Sequence, residues 1–342
     1  MSKLNNGSIV NEIKGILLTA RENVSKAVNN ELLLAYWNIG KIIVEYEQNG
    51  EKKAEYGKQL LKTLSKELTR ELGKGFSRSN LQNMRLLYLN YPICQSLSGK
   101  LSFTHYCELF AVSDKNARDF YEKEAINSNW SVRELKRQID TSLFERLLLS
   151  DGNTNKEKVL SLAKQGITYA RPNDILKDPY VFEFLGIPEN KPMLEKDLEK
   201  ALITRIEKFL LELGRGFMFV GSQQRITLGN THYYVDMVFY NKILKAYVLI
   251  DLKMGSLKPE NIGQMNMYVN YYANEVNDVG DEKPIGIILC ADTSEIVAEY
   301  ALGGLENQIF ASKYVYYIPN KDELIKQVQD VIKDMSENEE NI

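Results

Sequence analysis

Histidine and cysteine are scarce in this sequence of 342 residues: there are two histidines, His105 and His232, and three cysteines, Cys94, Cys107 and Cys290. None of the cysteines forms a CxxC pair or a metal-ligand spacing, so a zinc site is not expected. An odd, sparse set fits a reducing compartment better than a disulfide framework. Long apolar runs are also missing. Nothing approaches the ~20 residues of a membrane-spanning helix, and the opening MSKLNNGSIVNEIKG lacks the apolar stretch of a signal peptide, so the expected location is cytoplasmic. Charge of one sign is absent too, with a net charge of −3. The halves differ, however: residues 1–150 hold 22 Lys and Arg against 17 Asp and Glu, and the remainder 21 against 29. A mildly basic first half is compatible with DNA contact there. No internal repeat is visible.

The chain does contain enough apolar residues for two cores. It is 44% hydrophobic and 26% charged, and domains usually run to ~100–200 residues. Residues 9–48 carry apolar side chains at helical spacing, from Ile9, Ile13 and Ile16 to Leu33, Tyr36 and Trp37. A second amphipathic stretch, 56–72, ends at Gly73-Lys74-Gly75, a helix stop. Phe76-Ser77-Arg78-Ser79-Asn80-Leu81 is expected to open a third helix running to about Asn90, and Pro92 closes that segment. Thr104 and Ser113 are expected caps of short helices, and Ser131-Val132-Arg133-Glu134 is a capping box opening a helix through Leu149. Residues 1–150 therefore read as an all-helical domain. A linker region is expected over 151–172, a second domain over 173–335 and an acidic, frayed tail over 336–342.

In the second domain one long helix is expected over 194–213. The period then changes from 3.6 to 2. Met218–Leu228, Thr231–Asn241 and Ala246–Met254 read as strands, with Gly229-Asn230 as a hairpin turn. A helix over 261–273, a buried strand over 284–291, a helix over 294–301 and a last strand over 314–318 complete an α/β layout, α-β-β-β-α-β, around a mixed sheet.

The chemistry concentrates in Tyr234-Val235-Asp236-Met237-Val238 and Leu249-Ile250-Asp251-Leu252-Lys253. Asp251 and Lys253 are two apart on a strand and share a face. An antiparallel hairpin turning at 242–245 places Asp236 opposite Asp251, with Cβ atoms ~4.5–5.5 Å apart. Two carboxylates that close repel, and a divalent cation neutralises them. Mg²⁺, or Mn²⁺ in its place, is the expected cofactor, since Mg²⁺ takes one or two carboxylates plus waters and phosphates. Asp236, Asp251 and Lys253 are thus the candidate catalytic residues, the two aspartates as metal ligands and Lys253 orienting water or stabilising phosphate charge. Glu212 is the first candidate for a further catalytic and metal-binding carboxylate, because it sits in an apolar run beside a helix stop; Glu207 is the second. The plain alternative is a structural Asp–Lys pair at a strand edge and solvated helix glutamates.

A D-(X)n-D-x-K core on a hairpin after a Glu-bearing helix resembles the PD-(D/E)XK nuclease superfamily. The nominal proline is replaced, Val235 preceding Asp236. More narrowly, FLLELGRGFMFVGSQQRI, YYVDMVFYN, LIDLKMGSLKPENIGQMNMYVNYY, LAYWNIGKIIVEYE and GKGFSRSNLQNMRLLY resemble bacterial YhcG-like proteins, which pair a helical N-terminal domain with a PD-(D/E)XK domain. The resemblance implies a restriction-endonuclease-like core for the second domain. It also singles out Gln264 and Tyr268, a Q-x-x-x-Y spacing that puts an amide and a phenol on one helix side, facing phosphates or carboxylates; the alternative is an ordinary packing helix.

Residues 58–90 have the outline of a helix-turn-helix. Arg78, Asn80, Asn83 and Arg85 are the candidate DNA-contacting side chains there, with protein contact as the rival use. Gln223 and Gln224, on the strand before Asp236, are expected to line the same cleft as the aspartates. The expected activity is metal-dependent hydrolysis of DNA phosphodiesters, with DNA as partner and a homo-oligomer or protein partner as a further expectation. A non-catalytic DNA- or protein-binding module and an RNA-directed nuclease are the competing readings.

Overall fold

A computed structural model describes residues 6–49, 54–93, 96–150, 155–188, 194–292 and 308–339. Among them the chain divides into two compact units, Met1–Arg118 with Ala125–Lys136, and Asp119–Glu124 with Arg137–Ile342.

The first unit is helical, as the 3.6-residue spacing requires. Helices α1 (Asn6–Asn49), α2 (Ala54–Leu72), α3 (Arg78–Asn90) and α4 (Phe103–Leu109) precede α5 (Lys115–Asn127), whose residues divide between the units. Ile43, Leu61, Leu81 and Met84 form a small core, with Tyr36, Ile39 and Leu64 packed around it. Two caps differ from expectation. Ser102, not Thr104, starts α4, and its N–H donates to His105 Nδ1 at 3.1 Å. Asp114, not Ser113, receives the Ala117 N–H at 2.7 Å at the start of α5; an ionised acceptor makes the stronger bond at a helix N-terminus. The capping box is present, with Glu134 N–H to Ser131 Oγ at 3.3 Å and Ser131 N–H to Glu134 Oε2 at 2.6 Å.

Close approach of α1 and α3 depends on Gly40. A Cβ at this position would lie 2.0 Å from the Met84 carbonyl oxygen and 2.7 Å from its carbon. Both are backbone atoms of a buried helix turn, so neither yields cheaply. Gly40→Ala is expected to destabilise this unit by about 1–3 kcal/mol through overpacking, despite the better helix propensity of alanine. Chemical denaturation followed by far-UV circular dichroism measures it; an unchanged midpoint would show that the helices separate freely.

The capping-box helix, α6 (Val132–Asp140), stops at Thr141 instead of continuing to Leu149. Ser142 has φ 53°, and a new helix, α7 (Leu143–Leu149), begins after it. The Thr141 carbonyl released by this break accepts from Arg146 Nε at 2.9 Å. Helix α8 (Lys156–Gln165) lies inside the segment expected as a linker.

The sheet of the second unit has six strands in the order β1-β6-β5-β4-β3-β2: β1 (Tyr180–Val181), β2 (Phe217–Leu228), β3 (Thr231–Asn241), β4 (Ala246–Ser256), β5 (Ile285–Asp292) and β6 (Gln308–Val315). β2, β3 and β4 pair antiparallel, whereas β4, β5, β6 and β1 pair parallel, giving the mixed sheet read from the strand pattern. The long helix expected over 194–213 is two helices, α9 (Glu195–Thr204) and α10 (Ile206–Leu213). Thr204 Oγ1 donates to the Lys200 carbonyl at 2.7 Å, the back-bonding that competes with the helical ladder and bends helices. Leu198, Leu202, Phe209 and Leu213 from this pair pack with Met237, Phe239, Ile250 and Leu252. On the other face α11 (Pro259–Tyr271) contributes Ile262, Met265, Tyr268 and Val269, against Val238, Leu249 and Ile288. Each face takes alternate strand residues, as period 2 demands.

The last strand begins at Gln308, earlier than the expected 314. Helix α12 (Lys321–Glu339) includes part of the segment expected as a frayed tail. The helix expected over 294–301 lies outside the described residues. No described helix is long and apolar enough to cross a membrane.

Candidate active site

The β3–β4 hairpin places the two aspartates. Its pairs Met237↔Ile250, Val238↔Leu249 and Asn241↔Ala246 carry the register expected from a turn at 242–245. Asn241 Oδ1 closes that turn by accepting from the Ile243 and Leu244 N–H groups at 3.0 and 3.1 Å. One step beyond Met237↔Ile250 in this register are Asp236 and Asp251. There the ladder ends: β3 continues against β2, and β4 continues against β5. The fork leaves the Leu252 N–H without a strand acceptor, and Asp236 Oδ2 takes it at 2.8 Å. Buried N–H groups require acceptors, so strand separation itself fixes this carboxylate.

Asp251 is 2% exposed. Its Oδ2 lies 2.8 Å from Lys253 Nζ, yet no group donates to that oxygen with hydrogen-bond geometry. Lys253 Nζ also lies 3.3 Å from Glu195 Oε1. Gln223 links the acids, its Nε2 donating to Asp236 Oδ1 at 3.2 Å and to Glu199 Oε2 at 2.8 Å. Gln223 has φ 48°, a left-handed conformation that costs a non-glycine residue about 1–2 kcal/mol. The bridge to both carboxylates accompanies this strained backbone.

The electrostatics are those of crowded acids. Burial pushes Asp251 up to about 7, the Asp236 charge adds to this, and Lys253 opposes it. Burial likewise raises Asp236, although the Leu252 N–H and Lys253 favour its charged form. Glu199 is raised by burial, against the donation from Gln223. For Lys253 burial alone acts downward, but Asp251 and Glu195 outweigh it and the ammonium is held above its ordinary value. Ionised together, these carboxylates need more positive charge than one lysine provides.

Among the described residues, no group of three or more His, Cys, Asp and Glu side chains is gathered so as to hold a metal ion. The Asp236–Asp251 pair, with Lys253 beside it, therefore does not suit a cation wanting an all-protein cage. It does suit Mg²⁺, which keeps several waters and uses one or two carboxylates plus substrate phosphate. A cleft of about 610 Å³ opens beside the pair, lined by Glu195, Glu199, Gln223 and Asp236, with Lys196 and Lys200.

Glu212 does not belong to this cluster, which corrects its expected role. It is fully buried, and Oε1 accepts from Arg146 at 2.5 Å and from the Val181 N–H at 3.0 Å. Oε2 accepts from Arg137 at 3.0 Å. Both oxygens are occupied, and Arg146 is itself fully buried. The apolar run that singled out Glu212 marks a buried ion pair, not a metal ligand. Glu207 is exposed on α10.

Gln264 and Tyr268 do share a helix side and hydrogen-bond each other. The Tyr268 hydroxyl donates to the Tyr234 carbonyl at 2.9 Å, so it holds β3 two residues before Asp236 and touches neither carboxylate. Gln223 lines the cleft; Gln224 turns back, donating to the Ser222 carbonyl at 3.2 Å. In the first unit, Arg85 pairs with Glu47 at 2.7 Å, Asn80 donates to the Gly75 carbonyl at 2.9 Å, and Asn83 bonds the Cys107 thiol. Arg78 is exposed. Three of these four expected DNA contacts thus have work inside the fold.

The acids that sequence reasoning missed are Glu195 and Glu199. They are four apart on α9 and so face the same side. Glu195 lies in the first turn of α9, where acidic residues are ordinary complements of the helix dipole, and Glu199 one turn on reads as a solvated helix glutamate; neither signal points to another role.

Comparison with known proteins supports the two-part reading. Residues 173–330 match the YhcG PDDEXK nuclease domain, and residues 12–146 match the DUF1016 N-terminal domain. The chain is 37% identical over 344 residues to a protein of Escherichia coli (strain K12) named "Putative nuclease YhcG", covering 90% of each. Two solved structures overlap in part, both with a TM-score of 0.26. One is a repair endonuclease from Pyrococcus abyssi, 17% identical, covering 37% of this chain and 49% of that one; the other is an EndoMS–dsDNA complex, 14% identical, covering 40% and 51%. The chain belongs to the YhcG family, and its C-terminal part is a PDDEXK nuclease domain.

Proposed function

We propose that the chain hydrolyses DNA phosphodiester bonds with a bound divalent cation, Mg²⁺ or Mn²⁺. The observation that carries this reading is the forked pair of aspartates, with Asp251 buried beside Asp236 and its Oδ2 2.8 Å from the Lys253 ammonium. Asp236 and Asp251 would hold the cation, which when bound lowers the pKa of its water and polarises a phosphate oxygen.

The remaining groups belong to the chain. Lys253 keeps its proton at neutral pH and places a fixed positive charge beside Asp251, where charge on a phosphate oxygen can be stabilised. Glu199, raised by burial and held by one hydrogen bond from Gln223, is a candidate to exchange a proton with water in the cleft. Lys196 and Lys200 at the cleft rim suit backbone phosphates, which supply most sequence-independent affinity for DNA. Overall, water adds to phosphorus, the ester P–O bond breaks, and the departing oxygen receives a proton.

Binding and chemistry separate in two measurements. Millimolar Mg²⁺ is expected to raise the melting temperature by roughly 2–8 °C if the site is well occupied, and Asp236→Asn is expected to remove the rise. Cleavage of linear, circular, single-stranded and branched DNA, with RNA alongside, is expected with Mg²⁺ or Mn²⁺ and not with EDTA. Absence of both shift and cutting would overturn the reading in favour of a binding module; cutting of RNA alone would replace the substrate.

A further inference from the structure

The first half of α1 carries an apolar stripe that nothing in its own unit covers. Ile9, Ile13, Leu17, Val24 and Val28 are 42–64% exposed, and every described side chain from Ile9 to Val28 is exposed. With Ala20 these residues follow one another at intervals of four, four, three, four and four. At about 100° per residue, all six fall within an arc of about 100°. The arc is thus a continuous band along ~30 Å of helix. Such a helix is marginal alone in water, and Gly15 in its middle weakens it further; a Cβ at Gly15 would meet nothing within 4 Å.

The spacing reads the same in both directions, about a midpoint between Leu18 and Thr19. That property selects the occupant. A second copy of the helix, laid antiparallel, sets Ile9 against Val28, Ile13 against Val24 and Leu17 against Ala20, and a two-fold axis then makes every contact twice. Twelve such side chains, together with Val10, Ile16 and Ala27 at the band's edges, cover on the order of 1,000–1,500 Å² at roughly 60–100 Å² each, near the size of specific interfaces.

We propose that the chain forms a two-fold dimer through residues 9–28 of α1, paired antiparallel. The stripe is the interface, and the helical state of this segment depends on it. The proposal concerns a surface of the N-terminal unit and is independent of the nuclease chemistry.

Sedimentation equilibrium of the full chain at micromolar concentration tests it first. A particle of twice the chain mass of 39.3 kDa is expected, and Leu17→Glu at the centre of the band is expected to give the single-chain mass with unchanged melting of the rest of the protein. Orientation is tested by thiol-specific crosslinking of mixed Ile9→Cys and Val28→Cys chains, whose paired product is expected to exceed either homotypic product at least tenfold. A monomeric wild type, a dimer insensitive to Leu17→Glu, or homotypic Ile9→Cys crosslinks would each overturn the antiparallel pair.

Discussion

Asp251→Asn is expected to lower cleavage by at least about 10³-fold, the scale of losing a group on which a catalytic set depends, while making the metal-free protein more stable. The two effects share a cause. Asp251 is buried beside a second carboxylate, and burial with the Asp236 charge pushes it up to about 7. Ionising it in the folded state therefore costs more than in the unfolded chain. The neutral amide keeps its shape and removes that cost, so the metal-free melting temperature should rise, and the Mg²⁺-dependent gain should vanish. Lys253→Met separates the two roles: the rate should fall, while the thermal response to Mg²⁺ persists because the aspartates remain. Glu199→Gln, which retains an acceptor for Gln223, should cost about 10–100-fold, as expected for an outer partner of such a site. Rates measured against a common DNA substrate, with melting curves in EDTA and in Mg²⁺, check all three. An Asp251→Asn protein that cuts normally would move the chemistry elsewhere in the chain.

Much of this site was legible because β-sheet geometry is rigid. One turn position fixed the register of β3 and β4, and the register carried Asp236 to Asp251 without knowledge of any contact. The helix side shared by Gln264 and Tyr268 was legible for a similar reason, though the periodicity did not say that the phenol would donate to the Tyr234 carbonyl. The acids of α9 were not legible. Glu195 and Glu199 occupy the first two turns of a helix whose start was expected at 194, but which of its faces meets the fork depends on the bend at Thr204. That bend comes from a side-chain hydrogen bond, which hydropathy does not encode. The expected helix-turn-helix outline is present in α2 and α3, but its polar face does not by itself name a partner. A polar helix face in sequence is compatible with solvent, DNA or a neighbouring helix, and Arg85 is drawn to Glu47 of α1.

Glu212 gives the other large effect, and on stability instead of rate. Glu212→Ala is expected to cost about 3–5 kcal/mol, a large part of the 5–15 kcal/mol typical of a domain, because it strands the fully buried Arg146 beside Arg137 and Lys177. Lys177 donates to the Glu212 backbone carbonyl, and burial lowers its own pKa to about 8, so the cluster is already short of negative charge. The network also predicts an acid limb. Burial alone would raise Glu212, but Arg146, then Lys177 and Arg137, outweigh it and hold the carboxyl down at about 2. A carboxyl depressed on folding adds stability above its unfolded value, near 4.5, and that stability is lost as pH falls from there toward 2. Melting temperatures of the wild type should therefore drop through this window, and Glu212→Gln, less stable at neutral pH, should show a flatter drop. A Glu212→Gln protein that melts like the wild type at pH 7 but no longer cuts DNA would return Glu212 to the catalytic set. An unstable protein with cleavage per folded molecule preserved would place it in the scaffold beneath β1, where its carboxylate joins Arg137 of α6, Arg146 of α7 and the Val181 N–H by direct hydrogen bonds.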